Sequence, residues 1–301
     1  MKMLIIGASG QIGFNLCQAL AGSHQVTGTY FSYPMPDMYS LDMTKSGTVT
    51  DFITALKPDV IFLPAALPDV EACEKKPELC RRVNIDGTRN VLAAAGEIKA
   101  KVVFFSTDYL FDGAAGPYAE TEPSNPLNMY GKAKNEAEQL IRQSTCPHLI
   151  IRTSVVYGYE KQGKNFVVRL NERLRQGEKV KVPNDQFSTP TYVNNLCAII
   201  KELVESGKEG IYNIAGPELL NRYDFAVLAA EIFELDRSLI TPVATGELGQ
   251  QALRPLRGGL KVDKVRSVAV TPLMNVREGL IDMKKQWSGI AAVKTIPALV
   301  R

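Results

Sequence analysis

At 301 residues, 45% of them hydrophobic and 22% charged, the chain has the length and composition of one large globular domain, or of one with a smaller partner. A net charge of +3, with no Lys/Arg block longer than two residues, excludes the basic surface that nucleic acid requires. No apolar run approaches the roughly 20 residues needed to span a bilayer, so no membrane partner is expected.

An apolar strand at 3–6 runs directly into Gly7-Ala8-Ser9-Gly10-Gln11-Ile12-Gly13 and a helix predicted over 12–21. Strand, glycine turn and helix in that order form a phosphate cradle. Gly7 allows the tight turn, Gly10 lets backbone approach a pyrophosphate, and Gly13 lets the helix pack on the strand. The helix N-terminus then offers free amides and the positive end of its dipole. With so few residues before this motif, no signal peptide is expected.

A second strand is predicted over 25–30. An acidic residue at its end would hold the ribose hydroxyls of NAD(H), but Tyr30, Phe31 and Ser32 stand there. Nothing repels a 2′-phosphate and no arginine adjoins to bind one, which favours NADP(H) or use of both NADP(H) and NAD(H). Asp42 can accept a hydrogen bond from an adenine amine while Met43 packs on the ring; Asp42 equally suits the cap of a helix over 48–56.

Further strands are predicted at 60–63, 102–105 and 149–152, with helices at 77–95 and 129–143. Continuous apolar strands alternating with amphipathic helices read as a Rossmann-type, doubly wound parallel α/β sheet. Tyr130 and Lys134 lie four apart on the last of these helices, so one turn stacks them. An ammonium beside a phenol stabilises its anion and makes the tyrosine a usable acid or base. Alone, the same spacing also describes a solvated helix face.

Beyond residue 154 the rhythm changes. Helices are predicted at 166–176, 192–206 and 223–233, with a strand at 210–214 returning to the main sheet. The expected organisation is a dinucleotide-binding domain over 1–154, a smaller C-terminal substrate-binding lobe over 155–290 interleaved with the sheet, and a tail over 291–301. The five cysteines are scattered without metal-ligand spacing, so no metal is expected and a reducing cytoplasm fits. His24 and His148 flank predicted strands and have no triad partners.

The glycine turn, Phe105-Ser106-Thr107-Asp108-Tyr109-Leu110-Phe111-Asp112-Gly113, Glu122-Pro123-Ser124-Asn125-Pro126-Leu127-Asn128-Met129-Tyr130-Gly131-Lys132, Arg152-Thr153-Ser154-Val155-Val156-Tyr157-Gly158 and Asn184-Asp185-Gln186-Phe187 occur in order along the chain. Together they resemble the extended short-chain dehydrogenase/reductase superfamily and, within it, the dTDP-4-dehydrorhamnose reductase branch. The resemblance spans roughly residues 1–285.

It implies reduction of a 4-keto-6-deoxy nucleotide sugar by hydride transfer from NADP(H) or NAD(H). Thr107 then bonds the reacting carbonyl oxygen, Tyr130 donates the proton, and Lys134 binds the nicotinamide ribose and lowers the pKa of Tyr130. Gly7, Gly10, Gln11, Ile12 and Gly13 hold the pyrophosphate. Ala65, Ala66 and Leu67 line the cofactor groove, and Asn84 supports the active-site network. Val155 and Arg254 fall in the substrate half.

The chain departs from the branch there. Val155 stands where Trp is common, Leu67-Pro68 where His-Thr is common, and Gly258 where the Arg-Pro-x-x-Ser-x-Leu pattern has Ser. These departures leave an alternative: an NADP-binding regulatory subunit resembling the methionine adenosyltransferase β-subunit. A nucleotide-sugar epimerase is a third reading. A dehydratase belongs with that third reading, and what the resemblance implies for one, an acidic pair beside the Thr, is not met, since Asp108 is followed by Tyr109 and not Glu. A homodimer is possible if the helices over 77–95 and 129–143 present an exposed apolar stripe.

Overall fold

The structure, a computed structural model, describes the backbone of residues 1–294 and the side chains of residues 1–287. In chain order, β1 (Lys2–Ile6), α1 (Gln11–Leu20), β2 (Gln25–Tyr30), β3 (Met38–Ser40), α2 (Ser46–Leu56) and β4 (Val60–Leu63) build the first half-sheet and its helices. Then come α3 (Val70–Lys75), α4 (Pro77–Arg81), α5 (Gly87–Ile98), β5 (Lys101–Thr107), α6 (Met129–Gln143) and β6 (His148–Thr153). The remainder comprises β7 (Val156–Tyr157), α7 (Phe166–Arg175), β8 (Val180–Pro183), β9 (Phe187–Ser188), β10 (Thr191–Tyr192), α8 (Val193–Glu205) and β11 (Gly210–Asn213). It closes with β12 (Leu220–Asn221), α9 (Arg222–Ile232), β13 (Ile240–Val243), α10 (Asp263–Arg266) and α11 (Val276–Lys294).

Seven strands form one parallel sheet in the order β3-β2-β1-β4-β5-β6-β11. The chain winds outward from β1 in both directions, so a crevice opens at the carboxyl ends of β1 and β4. Alternate residues of each strand feed opposite faces. Met3, Ile5, Phe62 and Val103 pack with Leu16 of α1 and Leu196 of α8. Leu4, Ile61, Phe104 and Ile150 pack with Ile53 of α2, Val91 of α5 and Ile141 of α6. Covering both faces is why these strands read as unbroken apolar runs. A third cluster joins α7, β8, α9 and α11 through Leu170, Val182, Phe225 and Leu280. The strand expected at 210–214 does return to the sheet, beside β6.

Three expectations need correction. The helix over 77–95 is broken: α4 ends at Arg81, residues 82–86 widen into a π turn, and α5 begins at Gly87. Within that turn the Asn84 side-chain amide bonds both the N–H and the C=O of Leu67 (2.7 and 3.2 Å). The strand β3 has one half-buried and two exposed residues, too few and too polar to register as a periodic pattern. The tail expected over 291–301 begins inside α11, whose helix continues to Lys294; residues 295–301 lie outside the described residues.

The exposed positions of α5 are Arg89, Ala93 and Glu97, and those of α6 are Lys132, Gln139, Arg142 and Gln143. None of these exposed positions carries a large apolar side chain. Among the described residues no helix is long and apolar enough to cross a membrane.

One charged pair ties α6 to the sheet. Arg152 Nε and Nη2 donate to the two carboxylate oxygens of Glu138 (3.0 and 2.7 Å), and Nη1 donates to Glu120 O at 3.1 Å. Both side chains are almost fully buried. Glu138→Ala leaves that guanidinium unpaired and is expected to cost about 3–5 kcal/mol, read from the urea unfolding midpoint. A loss below about 1 kcal/mol would mean that the pair contributes no more than a surface one.

Candidate active site

The glycine turn closes β1 against the rest of the crevice. Gly7 sits at φ +93, and a Cβ there would press on Ala65. A Cβ at Gly13 would collide with the Gly7 carbonyl oxygen, so α1 approaches the strand as closely as backbone allows. The N-cap of α1 is Gly10, which supplies no side-chain cap, and no acidic residue occupies the first turn. The first-turn amides are therefore left for an anion, which is the arrangement a dinucleotide pyrophosphate fits. A loop crosses above: Asn15 Nδ2 donates to Tyr159 O (3.2 Å) and Gln162 Nε2 to Ser9 O (2.7 Å).

From this turn a cleft of about 730 Å³ runs along the carboxyl edge of the sheet. That is within the roughly 300–1,000 Å³ of small-molecule sites. Gly7, Gly10, Gln11, Ile12 and Gly13 line one end, with Asp42, Met43, Ala65 and Ala66 beside them. Thr107, Tyr130, Lys134 and Val155 line it as well. Asp42 Oδ1 accepts from Thr44 N and Oγ1 (2.9 and 2.7 Å), so it closes a turn; the N-cap of α2 is Lys45. Val155 holds φ +42, a backbone outlier for a β-branched residue.

Thr107 is the last residue of β5, and Tyr130 lies in the first turn of α6. A Cβ at Gly131 would collide with the carbonyl oxygen of Tyr109, which shows how tightly α6 abuts the segment after β5. Asp108 is buried there, accepts from Ser154 Oγ and from Gly259 N (3.4 Å), and has its carboxyl pushed up by burial. Desolvation also pushes the Tyr130 phenol up, Asp108 adds to this, and the Thr107 hydroxyl opposes it. The Lys134 ammonium lies 3.8 Å from the Phe104 ring centroid, and burial brings it down to about 7 against the pull of Glu138 and Cys80.

Two expected site residues do not line the cleft. Leu67 has its backbone gripped by Asn84 and its side chain packed against Cys73, Cys80, Ile85 and Ala133. Arg254 pairs with Glu71 at 2.9 Å and lies over the Tyr109 ring, outside the lining. Burial, Asp108 and the Thr107 hydroxyl are the chief influences on the Tyr130 phenol, while Lys134 is turned onto Phe104 and burial weakens its own charge.

Sequence reasoning missed Phe166, Arg169 and Arg222, all of which line this cleft. The Arg222 guanidinium lies 4.6 Å from the Phe166 ring centroid. No local signal marks these residues as a set; they meet only because α7 and α9 fold to the same side.

The family described as RmlD substrate binding domain matches residues 1–288. The chain belongs to this family. Its relatives include the spore coat polysaccharide biosynthesis protein SpsK of Bacillus subtilis, 31% identical over 274 residues (90% of this chain, 93% of the relative). A dTDP-4-dehydrorhamnose reductase of Escherichia coli is 32% identical over 254 residues, 82% of each chain. Methionine adenosyltransferase 2 subunit beta of Xenopus tropicalis is 28% identical over 300 residues (95% of this chain, 90% of the relative). Among solved structures, the dTDP-4-dehydrorhamnose reductase of Bacillus anthracis in complex with NADP superposes with TM-score 0.88 at 28% identity, covering 95% of this chain and 99% of that one.

In this member of the family the buried lysine has a consequence for stability. The unfolded chain holds the Lys134 proton up to the ordinary 10.5 and the folded chain only to about 7, so folding penalises the charged form. The penalty is full below about pH 7 and fades as pH rises towards 10.5. Lys134→Met is therefore expected to raise the thermal unfolding temperature at neutral pH, with an advantage that shrinks under alkaline conditions. An unchanged or lowered Tm at neutral pH would contradict this.

Proposed function

We propose that the protein is an NAD(P)H-dependent oxidoreductase that reduces the 4-keto group of a 6-deoxy sugar linked to a nucleoside diphosphate. The observation that carries this reading is the composition of one continuous cleft. It is lined by the glycine cradle, by Thr107, Tyr130 and Lys134, and by Arg169 and Arg222. Neither arginine makes an ion pair among the described residues. Guanidinium groups without an ion-pair partner suit a diphosphate, as free first-turn amides suit a pyrophosphate at the cradle.

A bound dihydronicotinamide supplies the hydride. The chain's own residues handle the charge that develops on the ketone oxygen. Thr107 and Tyr130 present hydroxyl donors to that oxygen. Burial keeps the Tyr130 phenol protonated at neutral pH, so it enters the reaction as the acid that a reduction needs. Lys134, titrating near 7, can gain positive charge as negative charge appears beside it. A reducing cytoplasm suits the five cysteines, all of them free.

The similarity to a methionine adenosyltransferase subunit keeps a regulatory reading in view. The joint presence of Thr107, Tyr130 and Lys134 in one cleft favours the enzyme.

Purified protein is expected to consume NADPH or NADH with a dTDP-linked 4-keto-6-deoxy sugar; no turnover with any nucleotide-linked 4-ketose would remove the main support for the reading. Tyr130→Phe is expected to lower kcat by about 10²–10⁴-fold while leaving the NADPH Kd within about twofold. Arg222→Gln should raise the KM for the nucleotide sugar by about 10–100-fold, with the NADPH KM unmoved. An unchanged sugar KM would place the diphosphate elsewhere.

A further inference from the structure

The start of α6 is held by charged groups that never reach the cleft. Met129 is the first residue of this helix, and its amide has no intrahelical carbonyl to meet. It donates instead to Glu74 Oε2 on α3 at 3.0 Å. The N-cap, Asn128, accepts from Gly131 N through Oδ1 (2.9 Å) and donates through Nδ2 to Leu253 O (2.8 Å). The loop that carries Leu253 is in turn pinned to α3. Glu71 accepts from the amides of Gln251 and Ala252 (3.1 and 3.3 Å) and from Arg254 Nη2 (2.9 Å). The Arg254 guanidinium lies 5.9 Å from the Tyr109 ring centroid, and that ring meets Tyr130 edge-on at 5.9 Å and 75°.

Tyr130 is thus bounded on two sides, by its own helix start and by the Tyr109 ring. Both lead back to one face of α3, where Glu71 and Glu74 are spaced i, i+3. The arrangement is asymmetric in a useful way. The two carboxylates are fixed by directed hydrogen bonds, whereas the phenol they place meets the Tyr109 ring, an apolar cluster and the Thr107 hydroxyl. A small shift of the α6 start therefore moves the acid relative to its target, and proton transfer is sensitive to distances of well under an ångström.

We propose that Glu71, Glu74 and Arg254 are positioning residues for the catalytic tyrosine, setting where α6 begins and so where the Tyr130 hydroxyl stands. This rests on the reductase reading above, and it replaces the substrate contact that the sequence suggested for Arg254. Glu74 supplies a carboxylate to an orphan amide at the positive end of the helix dipole. Arg254 supplies the cation that holds Glu71 and the face that backs Tyr109.

The test is a set of substitutions read by kcat, by both KM values and by Tm. Glu74→Ala and Arg254→Gln are each expected to lower kcat by about 10–100-fold with both KM values within about twofold. Glu74→Gln, whose amide oxygen can still accept from Met129 N, should recover most of that loss. The double variant Glu71→Gln/Arg254→Gln should be no slower than Arg254→Gln alone, since both break one pair. A lowered Tm with kcat unchanged would overturn the proposal in favour of a purely structural role. A raised sugar KM with kcat unchanged in Arg254→Gln would overturn it in favour of direct substrate binding. A second readout does not depend on turnover. In protein carrying Cζ-labelled tyrosine, the Tyr130 NMR signal, assigned by its loss in Tyr130→Phe, should move in Glu74→Ala and in Arg254→Gln. An unmoved signal counts against the positioning role even if the wild-type protein reduces no nucleotide sugar, an outcome that would end the reductase reading separately.

Discussion

The close approach of α6 to the end of β5 is the contact on which the site depends. Gly131 abuts the Tyr109 carbonyl with no room for a side chain, and this brings Tyr130 beside Thr107 at the carboxyl edge of the sheet. One turn on, Lys134 is carried over Phe104; the next turn carries Glu138 to Arg152 of β6. The site is therefore a strip along a single helix pressed against two neighbouring strands. Its chemistry follows from being desolvated there: the same burial that holds the phenol proton in place weakens the lysine charge. A buried ammonium is unfavourable on its own, and apolar packing on both faces of the sheet offsets it.

The two halves of the cleft differ in how they are built. The part around the glycine turn is assembled from neighbours in sequence: a strand, its turn, the helix that follows, and the alanines after β4. The part proposed to hold the substrate is assembled from distant pieces. Val155 follows β6, Phe166 and Arg169 belong to α7, and Arg222 opens α9. The residues proposed to position Tyr130 are more distant still, since Glu71 and Arg254 are 183 residues apart in the chain.

That difference explains what was legible in the sequence. The parallel sheet could be read because its strands are covered on both faces and so are apolar throughout. The glycine turn and the Tyr130/Lys134 pair could be read because their function requires fixed local spacing. The break at residues 82–86 could not, because it goes with a bond from Asn84 to a loop residue, Leu67, 17 positions away. Leu67 and Arg254 were placed in the cleft by their position in a pattern. Their tertiary partners, Asn84 and Glu71, hold them behind the wall. Arg169 and Arg222 carry no local signature at all, since an arginine on an amphipathic helix is ordinarily a solvated one.

The central claim is that this one cleft brings a reduced nicotinamide and a sugar ketone together at the hydroxyls of Thr107 and Tyr130. Deuterium transfer from 4-deuterated NADPH tests it most directly. The account predicts that the label appears on C4 of the nucleotide-linked sugar, and that the Tyr130→Phe variant delivers almost none. A wild-type protein that binds both NADPH and the nucleotide sugar yet leaves C4 unlabelled would contradict it.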